Sequence, residues 1–136
     1  MPMSSILVID DDELFRTALA EALTSQGFDV TQAADGDLGL KLFNAQPTDL
    51  VLTDIVMPNK EGIATVRELR RAHPGLGIIA MSGGAAANAP LYLDLANGLG
   101  ADCTLQKPFP LTVLIEAVTA VLAKAGTVRP ARTAKP

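Results

Sequence analysis

Five short apolar runs rich in β-branched residues begin near residues 6 (ILVI), 29 (DVTQAA), 50 (LVLT), 78 (IIAM) and 102 (DCTLQ). Between and after them the apolar positions take up helical period: Phe15, Leu19, Ala22 and Leu23; Leu38, Leu42 and Phe43; Ile63, Val66 and Leu69; and Leu114, Ile115, Val118, Val121 and Leu122. Gly27 and Gly75 follow the first and third helical segments as stop signals, and Pro74 and Pro90 punctuate the chain further. Strand and helix therefore alternate five times. Nearly unbroken apolar strands joined by helices predict a parallel sheet covered on both faces, because right-handed crossovers place helices there. The expected class is α/β, a doubly wound five-stranded sheet in a three-layer sandwich. In such sheets ligands bind beyond the carboxyl ends of the strands, so the polar residues that follow each strand are the first candidates for chemistry.

Composition narrows the picture. The 136 residues suffice for one domain with a substantial core and not for two, and 49% hydrophobic with 19% charged residues is a globular balance. A net charge of -4 argues against a surface built to grip phosphate backbones, so no direct nucleic-acid partner is expected. No apolar stretch approaches the roughly 18 to 20 residues that span a bilayer, so no membrane partner is expected. MPMSSILVID has no basic segment before its short apolar run, which predicts no signal peptide and a cytoplasmic location. The single Cys103 excludes an internal disulfide, and Cys103 and the lone His73 read as structural or incidental. From Gly126 the sequence GTVRPARTAKP loses apolar period and gains basic residues and prolines. The expected organisation is a folded domain over 1–125 and a flexible basic tail over 126–136.

After the first strand come Asp10, Asp11 and Asp12, then Glu13 opening a helix. N-capping and the helix dipole account for one or two of these acids. They do not account for three aspartates at the mouth of a sheet, where like charges repel unless a cation neutralises them. Oxygen-only ligands in an open site suit Mg2+. Asp54 ends the third strand in VLTDIVMP, and strand order turns its carboxylate toward Asp10 and Asp11. An Asp before a Pro-containing loop is by itself commonly a turn residue; its company here changes that. Ser82, followed by Gly83 and Gly84, offers a hydroxyl beside exposed backbone N–H groups after the fourth strand. Lys107, before Pro108, places a cation at the same edge after the fifth, suited to a carboxylate or a phosphate.

In this order and spacing, ILVIDDDE, DLVLTDIVMPNKEG, IIAMSG and LQKPF make residues 4 to 124 resemble the receiver domains of two-component response regulators, with the fold of the chemotaxis regulator. The resemblance implies the flavodoxin-like strand order 2-1-3-4-5 and a phosphorylation-dependent signalling switch. Asp54 would be the phospho-acceptor, supplied by a histidine kinase or a histidine phosphotransfer protein. Asp10, Asp11 and Asp54, with the backbone carbonyl of Val56, would hold Mg2+, Asp10 acting through water. Ser82 and Lys107 would bind the phosphoryl oxygens, while Asp12 and Glu13 would open the helix. Such a protein is no enzyme beyond catalysing its own phosphotransfer and dephosphorylation. Its output would be binding of a downstream protein, or a homodimer, through the face made by the fourth helix, fifth strand and fifth helix.

The sequence departs from the family in places. Thr104 stands where an aromatic residue usually takes part in the switch, and the stretch GGAAANAPLYLDLANGLGA after Ser82 is longer than in compact members. Tyr92 reads as a helix-surface residue, and Val56 and Gly84 offer no acid or amide to orient water, which implies slow self-dephosphorylation. A phosphatase of the haloacid dehalogenase type would want an Asp where Val56 stands, and a flavodoxin-like cofactor site would not place three aspartates after its first strand. A pseudo-receiver, used only for protein interaction, would be expected to have lost some of the five site positions.

Overall fold

The structure, a computed structural model, describes residues 3–55, 62–83, 94 and 96–128, the last four as backbone only. Five strands, β1 (Ser5–Ile9), β2 (Asp29–Ala33), β3 (Leu50–Asp54), β4 (Gly77–Ser82) and β5 (Cys103–Gln106), pair in parallel in the order β2-β1-β3-β4-β5. The described helices with assigned bounds are α1 (Glu13–Ser25), α2 (Gly36–Ala45), α3 (Gly62–Ala72) and α4 (Leu111–Val128). Most of the stretch between Ser82 and the fifth strand, including Pro90 and Tyr92, lies outside the described residues; Asp94 and residues 96–98 are helical. α4 runs through Gly126 to Val128, past the expected boundary after residue 125, and the rest of the expected tail lies outside the described residues.

Alternation along the strands divides the interior into two cores. Leu7, Ile9, Val51, Ile78 and Ala80 face Phe43 of α2 and Val66 and Leu69 of α3. Ile6, Val8, Leu50, Leu52, Ile79 and Met81 face Leu19 and Leu23 of α1 and Leu114, Val118 and Val121 of α4. Leu38 departs from its expected place in the α2 stripe and is exposed. The face that α2 buries is Gly36, Gly39 and Phe43, because a β-carbon at Gly39 would overlap the side chain of Ile9. Gly27 takes a positive φ of 97° just past α1, as its stop role requires. α3 instead ends at Ala72, ahead of the His73-Pro74 pair, since the residue before a proline is disfavoured in helical conformation. His73 packs its ring on Phe43, with centroids 4.7 Å apart, in keeping with a structural role.

The register lines up the functional edge. Ile9 pairs with Thr53, Asp54 with Met81 and Ser82 with Gln106, so Asp10, Asp54, Ser82 and Lys107 all emerge at one end of the sheet. The opposite end is tied by polar contacts. The Asp49 carboxylate accepts from the Ser5 backbone N–H at 2.8 Å and from its hydroxyl at 3.2 Å, fixing β1 against β3. Arg70 of α3 donates to the carbonyls of Pro74, Leu76 and Gly100 and to the Asp102 carboxylate, all within 2.9 Å, and Asp102 also accepts from Ile78 N–H. One guanidinium thereby closes the turn into β4 and joins it to the entry of β5.

Gly62 opens α3 against the backbone of the third strand's end. A β-carbon there would overlap the Asp54 carbonyl and the Ile55 Cα, atoms that no rotamer change can move aside. Gly62→Ala should gain about 1 kcal/mol of helix propensity and lose roughly 1–3 kcal/mol to overpacking. Net destabilisation in urea unfolding, with displaced amide shifts at Asp54, is therefore expected. Arg70→Met should lower stability by about 2–4 kcal/mol, because carbonyls and a carboxylate lose a charged donor together. Urea unfolding checks that value.

Candidate functional site

The site is built from strand ends. β1 delivers Asp10, which is wholly buried and has both carboxylate oxygens engaged. Its Oδ1 accepts the Asp12 backbone N–H at 2.9 Å, and its Oδ2 accepts from Lys107 Nζ at 2.7 Å. Its backbone is held as well: the Asp10 N–H donates to the Ala33 carbonyl, and the Asp10 carbonyl accepts from Arg16 at 2.8 Å. Asp12 is the N-cap of α1, accepting the Phe15 N–H, so the helix-opening role expected of Asp12 is what the geometry shows. Asp11 is exposed beside them.

β3 delivers Asp54, which is 5% exposed. Its Oδ2 accepts from Lys107 Nζ at 3.0 Å, while the Thr53 hydroxyl donates to its carbonyl at 3.0 Å. Oxygens of Asp10, Asp11 and Asp54 all lie within 4.8 Å of one another. Three carboxylates this close, offering only hard oxygen donors, fit a hard divalent cation, and the exposed Asp11 leaves the group open to solvent on one side. Val56 lies outside the described residues, as does Gly84.

Lys107 stands at the centre of the charges. Its peptide bond to Pro108 is cis, and its N–H donates to the Ser82 carbonyl at 2.8 Å. Burial pulls the ammonium down from its ordinary pKa, but the hydrogen bond to Asp10 and the charge of Asp54 outweigh it, and the net shift is upward. A raised lysine is charged throughout the neutral range. The stability it contributes is present below its unfolded pKa and is lost only as pH climbs through the raised folded one.

The Ser82 hydroxyl oxygen is buried with no hydrogen-bond partner among the described residues. Buried hydroxyls are ordinarily paired, so this one offers a donor and an acceptor at the sheet end that also carries Asp54. Thr104 is half-buried and pairs with Ala80 on β4. Burial pushes the Cys103 thiol up, away from reactive thiolate, in keeping with an incidental role. Sequence reasoning placed Phe15 only in a core stripe and did not single out Arg16. The Phe15 ring in fact lies 4.1 Å from Lys107 Nζ and packs edge-on against Phe109. The one available signal was position, since both residues follow the acids within the first turn of α1.

Comparison with known proteins agrees with this geometry. The chain is 38% identical over 120 residues to the transcriptional regulatory protein CpxR of Klebsiella pneumoniae, a match covering 88% of this chain and 50% of that protein. It is 38% identical over 115 residues to the CAI-1 autoinducer sensor kinase/phosphatase CqsS of Vibrio cholerae, covering 85% of this chain and 17% of that one. The chain thus spans half the length of CpxR and much less of CqsS. Among solved structures, a CheY-like response regulator receiver domain protein from Methanospirillum hungatei superposes with a TM-score of 0.83 at 25% identity, covering 93% of this chain and 98% of that one. The family described as the response regulator receiver domain matches residues 6–119, and the chain belongs to that family.

Proposed function

We propose that the protein is a phosphorylation-dependent switch in which Asp54 accepts a phosphoryl group from a phosphohistidine on a histidine kinase or phosphotransfer protein. The observation that carries this reading is the meeting of Asp10, Asp11 and Asp54 with Lys107 at one sheet edge, with the Ser82 hydroxyl, which has no partner among the described residues, at the same edge. An Asp54 carboxylate oxygen attacks phosphorus, the P–N bond to histidine breaks as the O–P bond forms, and the histidine keeps the electron pair. Little covalent assistance is needed; positioning and charge neutralisation do most of the work.

Asp10, Asp11 and Asp54, with the Val56 carbonyl, would hold Mg2+, Asp10 through water. When bound, Mg2+ would neutralise charge on the transferring group. Lys107 supplies a second positive charge already directed at Asp54, and Ser82 a hydroxyl for a phosphoryl oxygen. Leu14, 85% exposed in the first turn of α1 two residues after Asp12, offers an incoming partner an apolar contact. The added charge of about -1.5 to -2 competes for Lys107 and Ser82 and shifts the populations of the loops that carry them. Output is altered binding of a downstream protein, or a homodimer, on the face that includes β5 and the exposed Leu111 and Val113 of α4. In this reading residues 1–125 are the switch, the basic tail lies outside it, the protein acts in the cytoplasm, and its only catalysis is on itself.

Incubation with Mg2+ and acetyl phosphate should add one phosphoryl mass, absent in Asp54→Ala and without metal; intact mass spectrometry reads it. No gain in folded protein that binds Mg2+ would overturn the acceptor role and favour an interaction module. Lys107→Met should destabilise the metal-free protein by about 3–5 kcal/mol, since Asp10 keeps a buried charge. Mg2+ should then stabilise the variant more steeply than the parent, as unfolding at several Mg2+ concentrations would reveal. In the parent without metal, the stabilisation from Lys107 should stay flat from about pH 7 to 9 and fall only above the ordinary lysine range near pH 10.4.

A further inference from the structure

We propose that Phe15 is a positioning residue for Lys107: its ring, together with the carboxylates of Asp10 and Asp54, holds the ammonium where the two acids meet. The inference deepens the reading above, on which its consequence for phosphoryl transfer rests. Nζ lies 4.1 Å from the Phe15 ring centroid, inside the roughly 6 Å range over which an aromatic face attracts a cation. The same Nζ is 2.7 Å from Asp10 and 3.0 Å from Asp54. The ammonium is therefore bounded by two anions and an aromatic ring.

The ring itself is fixed from two sides. Its backbone N–H is bonded to the Asp12 carboxylate, which sets the start of α1, and Phe109 meets it edge-on with centroids 6.0 Å apart at 82°. Phe109 lies two residues beyond Lys107, so the segment that presents the ammonium also braces the ring that receives it. Lysine reaches its target on a flexible stem with a strongly hydrated head, so a third, apolar wall adds to what the two carboxylates hold. An aliphatic residue at position 15 would continue the buried stripe of α1 equally well and would not attract the cation. What separates a positioning role from packing is therefore the electron density of the ring, not its size.

The test replaces Phe15 with a graded set of ring-fluorinated phenylalanines, with Trp and with Leu, in the otherwise intact chain. In the protein free of metal and phosphodonor, the ε-methylene protons of Lys107, assigned by their loss in Lys107→Met, should show an upfield ring-current displacement that Phe15→Leu abolishes. With Mg2+ and acetyl phosphate, Phe15→Leu should gain phosphoryl mass about five- to tenfold more slowly, the scale of a partly desolvated cation–π contact. Phe15→Trp should retain the rate. The fluorinated set should lose it in steps, with each variant still folded at the assay temperature and its melting temperature lowered by no more than a few degrees. Lys107 protons without displacement in the parent, or a rate that is flat across the fluorinated set, would overturn the proposal. If the parent takes up no phosphoryl group, the acceptor reading of Asp54 fails instead. The displacement and its decline with fluorination then decide by themselves whether the ring holds the ammonium.

Discussion

A single ammonium between two buried carboxylates is the contact on which the site depends. Asp10 and Asp54 come to one place because β1 and β3 are neighbours in register, and their charges would repel each other in surroundings of low dielectric. Lys107 relieves that repulsion from the far edge of the sheet, reaching back from the end of β5 across β4. The strand order and the site electrostatics are thus one fact seen twice: β5 closes the sheet, and its last turn closes the charge balance.

The two ends of the sheet do different work. At the amino ends, Ser5 with Asp49 and Arg70 with Asp102 lock the strands by hydrogen bonds that leave little to rearrange. At the carboxyl ends the contacts are ionic, one hydroxyl has no partner among the described residues, and three acids lie within reach of a common ligand. In the proposed function, rigidity at one end would let a change of charge at the other be felt as movement of loops and not as loss of the fold.

Much of this was legible in the sequence, and the reasons are local. The strand runs at ILVI, LVLT and IIAM are too apolar for anything except buried parallel strands, and the chemistry sits immediately after each run. Reading the polar residues that follow each apolar run was enough to place Asp10, Asp54, Ser82 and Lys107 at one edge of the sheet. Three things were not legible. Arg70 on α3 looks like part of a solvated face, because its carbonyl partners come from turns whose approach is set only by tertiary packing. Leu38 looks like a core residue because Gly39, which lets α2 approach Ile9, carries no hydrophobic signal of its own. The end of α4 was expected before Gly126, yet the helix carries through that glycine, a cost of about 1 kcal/mol that an otherwise apolar helix absorbs.

The double engagement of Asp10 also bears on how such a chain drifts over evolutionary time. A substitution that replaces the Asp54 carboxylate with an amide leaves an acceptor for Lys107, so under the proposed function the switch would fall silent in one step with the fold intact. Loss of Lys107 is different, because it strands a buried charge at Asp10, whose other oxygen is committed to the cap of α1. Lineages that abandon the lysine should therefore have exchanged the acid at position 10 first, or together with it.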